Sequence, residues 1–462
     1  MFEADALIRD SYSKFRDKVY QIEATEGPRI IIPVKLIAEL KGLPEETLSA
    51  YEAVSEALLS QYTHFSAGTH NETLLKLLRT NLSQRLSRLT PKLKQELEFI
   101  TAQEFPECDE WTPFKAQPFL VRTVARLSGC SFAGSTLSRN EEWMDTSVNY
   151  ATTVFIAAIK LQFFPKWVRP VAQYFIPDFY AIPRMVAKAQ AMLTPIIEER
   201  LRDSEVPGHE KPDDFIQWLL DALPDDQKRS FGLQAHLQLI LAAASIHTTS
   251  NLLTDCVYDL ATHQDMQEVI RQEAAEVLGQ GGWHGKDSLA RLKMMDSFMR
   301  ESQRLHGNVT SFIRKVMKPI DLSDGTHLPA GTSLLAPLAG VSRDDRFYPG
   351  AETFDGLRFW RLQQQQQQNG ANGGEVKDAS ANAGNRWQFT SIGDANMNFG
   401  LGRHACPGRF FAAAETKLIL AYLVLHYDVR LREGEGRPAP AMFMMTKSPN
   451  PDAEILFRRR IS

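Results

Sequence analysis

The sequence predicts a mainly α-helical protein with small β-sheets, and three observations carry that prediction. First, no proline occurs from Asp225 to Lys318, and within that run Leu233 to His263 keeps a helical apolar period. Second, apolar residues elsewhere recur at three- and four-residue steps, as in Leu74, Leu75, Leu78, Leu82 and Leu86. Third, the clear strand signals are short. Residues 18–32 read as a hairpin: Val19, Tyr20 and Ile22 in one strand, a turn at Thr25-Glu26-Gly27-Pro28, and Arg29–Ile32 in the second.

A helix from Leu233 to His263 would hold about 31 residues and span ~46 Å at the standard rise, enough to cross the whole molecule. Its middle, Leu237 to Ile246, is nearly all apolar, so burial on every side is expected there. From Phe163 to Pro183 prolines and aromatics are dense, which predicts loops or short helices closing over an apolar space. The stretch 363–385, opening with six glutamines and continuing through Asn, Gly and Ala, cannot bury enough apolar area to fold. It reads as a disordered surface insertion in a chain that otherwise forms one domain over residues 1–462.

Composition sets limits. The hydrophobic share of 43% and charged share of 23% suit an ordinary globular protein. Net charge is -4, with no basic stripe, so nucleic acid is not an expected partner. Cys108, Cys130, Cys256 and Cys406 form no CxxC pair, which argues against a zinc ribbon or a disulfide framework and suits a reducing compartment. No stretch reaches the ~20 apolar residues of a membrane-crossing helix, and the charged N-terminal twenty carry no signal-peptide run. As written, the chain reads as soluble or peripheral.

The chemistry concentrates around Cys406, in Phe399-Gly-Leu-Gly-Arg-His-Ala-Cys-Pro-Gly408. Pro407 pushes Cys406 out of the helical region, and Arg409 to Glu415 then start a helix with proline just before it. The cysteine thus sits on a glycine-rich loop at a helix N-terminus, where amides and the helix dipole favour thiolate over thiol. Glycines at 400, 402 and 408 let backbone pass close to something flat and bulky. Taken alone, a cysteine near a helix start is a small buried residue. Gly400 to Ala405 also matches the dinucleotide pattern G-x-G-x-x-A, but no strand precedes it and no acid follows at the required distance.

The ten-residue stretch resembles the cytochrome P-450 haem-binding signature, Phe-x-x-Gly-x-Arg-x-Cys-x-Gly. His404 stands where that pattern usually has arginine. Three further segments resemble the family in order. Glu301-Ser-Gln-Arg304 resembles its Glu-x-x-Arg, and Phe354-Asp-Gly-Leu-Arg358-Phe its third triad member. Ala244-Ser-Ile-His-Thr-Thr249 resembles its oxygen-activation motif, with His247 in place of an acid. In detail the chain looks most like filamentous-fungal enzymes of specialised metabolism, the ent-kaurene oxidase group being one similar branch. Leu305-His306-Gly307 departs from the Leu-His-Pro usual there, and the chain starts after the membrane anchor and proline-rich hinge of such relatives.

The resemblance implies the cytochrome P-450 fold, with haem b (iron protoporphyrin IX) between the long helix and the helix after the cysteine. It implies Cys406 as the iron ligand, with Phe399 and Gly400 in the cofactor loop and His404 and Arg314 at the haem propionates. It gives Glu301, Arg304 and Arg358 a structural role, holding the cysteine loop in register. Thr248 would donate towards dioxygen and relay protons, while His247 is either a neutral relay or a polar residue facing away. For Thr248 the structural alternative is a bond to the helix's own backbone four residues back. Substrate contacts are placed at Ala243, Ala244, Thr248, Val309 to Phe312 and Met442 to Met445. The expected activity is oxygen insertion into a lipophilic molecule such as a terpenoid, with electrons from an NADPH-cytochrome P-450 reductase at the cytoplasmic side of the endoplasmic reticulum. Two alternatives stand beside it: a haem-thiolate isomerase or dehydratase, and a haem protein without turnover.

Overall fold

The protein is described by a computed structural model covering residues 4–24, 27–65, 72–283, 288–371, 386–443 and 445–460. Eight helices of the described residues frame the site: α1 (Leu86–Glu104), α2 (Ala116–Ala133), α3 (Glu141–Gln162), α4 (Asp178–Asp203), α5 (Phe231–Thr262), α6 (Lys293–His306), α7 (Arg358–Ala371) and α8 (Arg409–His426). Helix α5 lies within the proline-free segment and is 32 residues long, about 48 Å from end to end. Helices α2, α3, α4, α6 and α8 all pack on it. Leu237, Leu239, Ile240, Leu241, Ala242 and Ile246 are buried as the apolar run requires. Ala244 breaks the expectation: it is exposed in the middle of this otherwise enclosed stretch.

The hairpin forms, with β1 (Tyr20–Ala24) antiparallel to β2 (Gly27–Ile31); Gly27 and Pro28, expected in the turn, already pair in β2, and Thr25 and Glu26 lie outside the described residues. With β3 (Leu48–Ser49), β4 (Ser311–Val316) and β5 (Ser333–Ala336) it builds a five-stranded sheet in the order β1-β2-β5-β4-β3. The β2–β5 contact is parallel and the others are antiparallel. A shift of register between Ser311 and Arg314 marks a bulge in β4, and Phe312 within it has φ of 51°. Bulky residues rarely adopt that conformation, so local packing has to hold it.

Two expectations need correction. The aromatic stretch after α3 forms a short helix at Arg169–Ala172 and a tight turn at Gln173–Phe175, and its Val168, Ala172, Ile176 and Phe179 close over Leu59, Ala158 and Leu161 as expected, but its larger aromatics face outward. Phe163, Trp167 and Phe175 are 60%, 83% and 81% exposed, because segments this short bury one side only. Pro183, expected in a loop, lies inside α4. At the sixth helical residue its missing N–H deletes the ladder bond to Phe179 O. The second correction concerns the glutamines. Gln363–Gln368 prolong α7, since straight-chain side chains lose little freedom in a helix. Residues 372–385 lie outside the described residues.

The largest apolar cluster joins α1, α2, α5, α6 and α8, and one polar contact crosses it. Glu415 of α8 is fully buried, and its carboxyl oxygens lie 3.0 and 3.3 Å from the Ser128 hydroxyl of α2. Burial, weakly opposed by Ser128, pushes its pKa up to about 8. The folded protein therefore keeps a proton that the unfolded chain releases above the usual carboxylate range. Stability contributed by the neutral acid is full at low pH and falls between about pH 4.5 and 8, by ~5 kcal/mol in all. Urea midpoints at pH 5 and pH 8 check this, with Glu415→Gln expected to flatten the slope. Equal slopes in the two proteins would refute it.

Candidate active site

The four cysteines sort themselves by burial. Cys108, Cys130 and Cys256 are buried free thiols, whereas Cys406 is only partly covered. Its loop is closed by its own N–H, which donates to Phe399 O at 2.7 Å. Gly400 and Gly402 have φ of 70° and 60°, and a Cβ at either would press a backbone oxygen, that of His404 or of Lys41, at 2.9 Å. Phe399 is fixed beneath the loop by the edge of Phe389, with ring centroids 5.1 Å apart. The Gly408 and Arg409 amides, at the start of α8, donate to the sulfur. The expectation that the helix terminus makes the free thiol acidic is corrected here. Burial dominates and raises the Cys406 thiol, while the two amides offset only part of that. A metal ion bound to the sulfur would remove the proton outright.

Beside this loop lies a cluster of cations with little to pair with. Arg314, on β4, is buried. Its Nη1 donates to the neighbouring Ile313 O at 2.8 Å, and its guanidinium lies over the Phe312 ring. Burial pushes its pKa down to about 10, against the pull of Glu45. His404 Nε2 is 3.1 Å from Glu45 Oε2, yet both atoms are buried and the pair is misaligned for a hydrogen bond. Burial and then Arg314 lower the His404 pKa, with Glu45 opposing. Glu45 uses its other oxygen for the Ser49 hydroxyl and the Tyr51 amide. Arg79 binds Arg403 O at 3.0 Å on the same side. A buried guanidinium as poorly partnered as Arg314 fits an added carboxylate, which is what a porphyrin brings. Glu45 and Arg79 were not singled out from the sequence; neither lies near a motif.

Glu301, Arg304 and Arg358 do come together. Glu301 has no exposed surface and accepts from Arg304 Nε and Nη2 at 2.8 and 2.7 Å. Arg358 Nε adds bonds at 3.1 and 3.2 Å, and the Asp355 amide one at 3.0 Å. The remaining guanidinium N–H groups go to carbonyls of Ser342, Pro349, Gly350, Ala351 and Thr353. From that loop Tyr348 donates to Ala395 O at 2.8 Å, ahead of the cysteine loop.

Thr248 and His247 part company. Thr248 is exposed, as is Ala244 one turn before it, on a helix whose other rows are packed. Its hydroxyl donates to Ala244 O at 2.8 Å, leaving its lone pairs to the open side. His247 turns to α3 instead, with Nε2 2.8 Å from Val148 O. Among the substrate candidates, Met442 and Met445 pack with Ile8, Ile22, Ile31, buried Val309 and Leu335, and Phe312 packs with Ile32, Leu36 and Leu334. Core packing accounts for these contacts. Met444 lies outside the described residues.

A family model described as Cytochrome P450 matches residues 46–457. The chain belongs to the cytochrome P450 family. It is 33% identical over 460 residues to cytochrome P450 monooxygenase AN1598 of Emericella nidulans, covering 99% of this chain and 83% of that protein. It is 34% identical to cytochrome P450 monooxygenase braC of Annulohypoxylon truncatum over 99% of this chain and 88% of that one. An ent-kaurene oxidase of Gibberella fujikuroi is 30% identical over 100% and 88% of the two chains. The solved structure of a retinoic acid-bound cyanobacterial cytochrome P450, CYP120A1, superposes with a TM-score of 0.72 at 20% identity, over 99% of this chain and 96% of that one, and shares the fold. As a cytochrome P450 the protein is a haem-thiolate oxidoreductase that incorporates oxygen. Among the described residues no helix is long and apolar enough to cross a membrane.

The buried triad gives a direct test. Glu301→Leu strands two buried guanidinium groups and should cost about 3–5 kcal/mol of stability, measured as a fall in the thermal or urea midpoint. A change within about 0.5 kcal/mol, typical of surface substitutions, would remove the triad from any structural role.

Proposed function

We propose that the protein is a monooxygenase inserting one oxygen atom from dioxygen into a lipophilic small molecule, a terpenoid or related secondary metabolite. The observation that carries the reading is the Cys406 loop, a partly covered cysteine whose sulfur meets two helix-start amides beside the under-partnered Arg314. In this reading haem b binds with Cys406 as iron ligand and with Arg314 and His404 against its carboxylates. Bound there, the haem activates dioxygen, with the thiolate ligand supplying electron density for O–O cleavage. Gly400 and Gly402 keep the loop flat enough for a planar ring, and Phe399 fixes its depth. Thr248 offers a hydroxyl that accepts and passes a proton on the open face of α5. The ent-kaurene oxidase relative supports a terpenoid substrate. Electrons come from an NADPH-dependent flavoprotein reductase.

The decisive measurement is the reduced carbon-monoxide difference spectrum of purified protein beside Cys406→Ala. A thiolate-type Soret band in the first and none in the second is expected, followed by NADPH-linked oxidation of ent-kaurene as a diterpene probe. A histidine-type band in both would sink the assignment, and turnover without NADPH consumption would favour an isomerase or dehydratase. Arg314→Leu should lower the haem-to-protein absorbance ratio while leaving the band position unchanged; full occupancy would remove Arg314 from the haem carboxylates.

We also propose that the protein rests on an anionic lipid surface through the segment between α3 and α4. Phe163, Phe164, Trp167, Tyr174 and Phe175 are all exposed there, and Phe155 near the end of α3 is exposed too. From Phe155 to Pro177 the charges are Lys160, Lys166 and Arg169, with no acid. Aromatics rimmed by cations suit the membrane interface. Flotation with vesicles containing phosphatidylserine should carry the protein up, and Trp167→Ser with Phe175→Ser should leave it at the bottom. Equal flotation of both proteins would refute this docking surface.

A further inference from the structure

Helix α5 presents its side chains in rows four residues apart. Ala235, Leu239 and Ala243 form one row, and they pack with Tyr150, Val154 and Ala157 of α3 in a single apolar cluster. His247 is the next member of that row. There the apolar contact between α3 and α5 gives way to a polar one. His247 Nε2 lies 2.8 Å from Val148 O and 3.5 Å from the Thr152 hydroxyl, one turn further along α3. A carbonyl only accepts, so Nε2 carries the proton and donates. Val148 O lies inside a helix, where a second lone pair remains open to a side chain after the ladder bond is made. Val148 itself packs against Ile246 and Ala242 of α5 and Val121 and Ala125 of α2. The bond therefore forms where three helices meet, one residue before Thr248.

We infer that His247 is a positioning residue which ties α3 to the Thr248 turn of α5, and that it is not a proton donor to dioxygen. The inference rests on the monooxygenase assignment. The motif this turn resembles has an acid at position 247. An ionised carboxylate has no hydrogen to give Val148 O, so the acid and the latch are exclusive uses of one site. With imidazole there, the side chain faces α3, away from the Ala244–Thr248 row. Proton supply to Thr248 then comes from the open side of α5, and His247 fixes how far α3 stands from it.

Two substitutions separate the latch from a relay. His247→Gln keeps an N–H donor of similar reach, whereas His247→Asp supplies the acid and removes the donor. Amide hydrogen exchange over residues 145–156 of the haem-loaded protein reports the latch without turnover. His247→Asp should speed that exchange about fivefold, the effect of one lost hydrogen bond, and His247→Gln should stay within about twofold of the parent. With reductase supplied, the solvent deuterium effect on NADPH oxidation should be the same in the parent and in His247→Gln. A deuterium effect altered in His247→Gln and restored in His247→Asp, with exchange unchanged in both, would make His247 a relay and overturn the inference. Identical exchange in all three proteins would overturn it as well. If His247→Asp fails to fold, His247→Ala takes its place with the same expected rise in exchange. Loss of the carbon-monoxide thiolate band in the parent itself would instead mark a failure of the monooxygenase assignment.

Discussion

One buried carboxylate sets the frame of the site. Glu301 has no contact with water and holds two guanidinium groups that water would otherwise solvate. A lone buried arginine is costly, so neither Arg304 nor Arg358 can occupy its place without Glu301. Once both are in place, their spare N–H groups collect carbonyls of the loop 342–353. That loop has little regular structure of its own, and the arginines tie several of its carbonyls to one point. The order of dependence is plain: the α6 carboxylate fixes the arginines, the arginines fix the loop, and Tyr348 passes the position on to Ala395. The triad touches the cysteine loop only through this chain of contacts. Its reach is indirect.

The cysteine loop is held by a different kind of constraint. Gly400 and Gly402 have positive φ and lie against backbone oxygens of His404 and Lys41, so no side chain could replace them without moving that backbone. On the opposite side the β4 bulge forces Phe312 into the left-handed region and places Arg314 inward, over that same ring. Strain of this order, of about 1–3 kcal/mol per residue, persists only where surrounding packing is firm. Here Phe312 is buried with Ile32, Leu36 and Leu334. Rigid packing under β4 thus keeps a cation close to the loop although, among the described residues, Glu45 acts on it only through space and no carboxylate forms a hydrogen bond or ion pair with it.

Much of this was readable in the residues. The helical period gave α5 to within two residues at each end, and proline after cysteine gave the start of α8. The three Glu-Arg-Arg positions were readable only through the resemblance, because Glu301 and Arg358 are far apart in sequence and no periodicity links them. Glu45 and the Phe312 conformation were out of reach, since a bulge and a loop contact leave no sequence signature. The thiol acidity was misjudged for a physical reason. Helix-terminus amides and burial act in opposite directions, and only a structure says which is larger at Cys406. Gly307 shows the converse. Replacing the usual proline there restores an N–H, which donates to Gln303 O at 2.9 Å and closes α6.

The long helix also shows why a motif does not fix a mechanism. Residues 242 and 246 belong to the row against α2, 235, 239, 243 and 247 to the row against α3, and 244 and 248 to the open row. Neighbours in sequence such as His247 and Thr248 lie about 100° apart around the axis, at 3.6 residues per turn. They therefore face different environments, and only Thr248 meets the open side. A polar residue at 247 can serve the chemistry only if its side chain bends back across a row. The Val148 carbonyl, fixed inside α3 and within hydrogen-bond reach, draws the imidazole the other way.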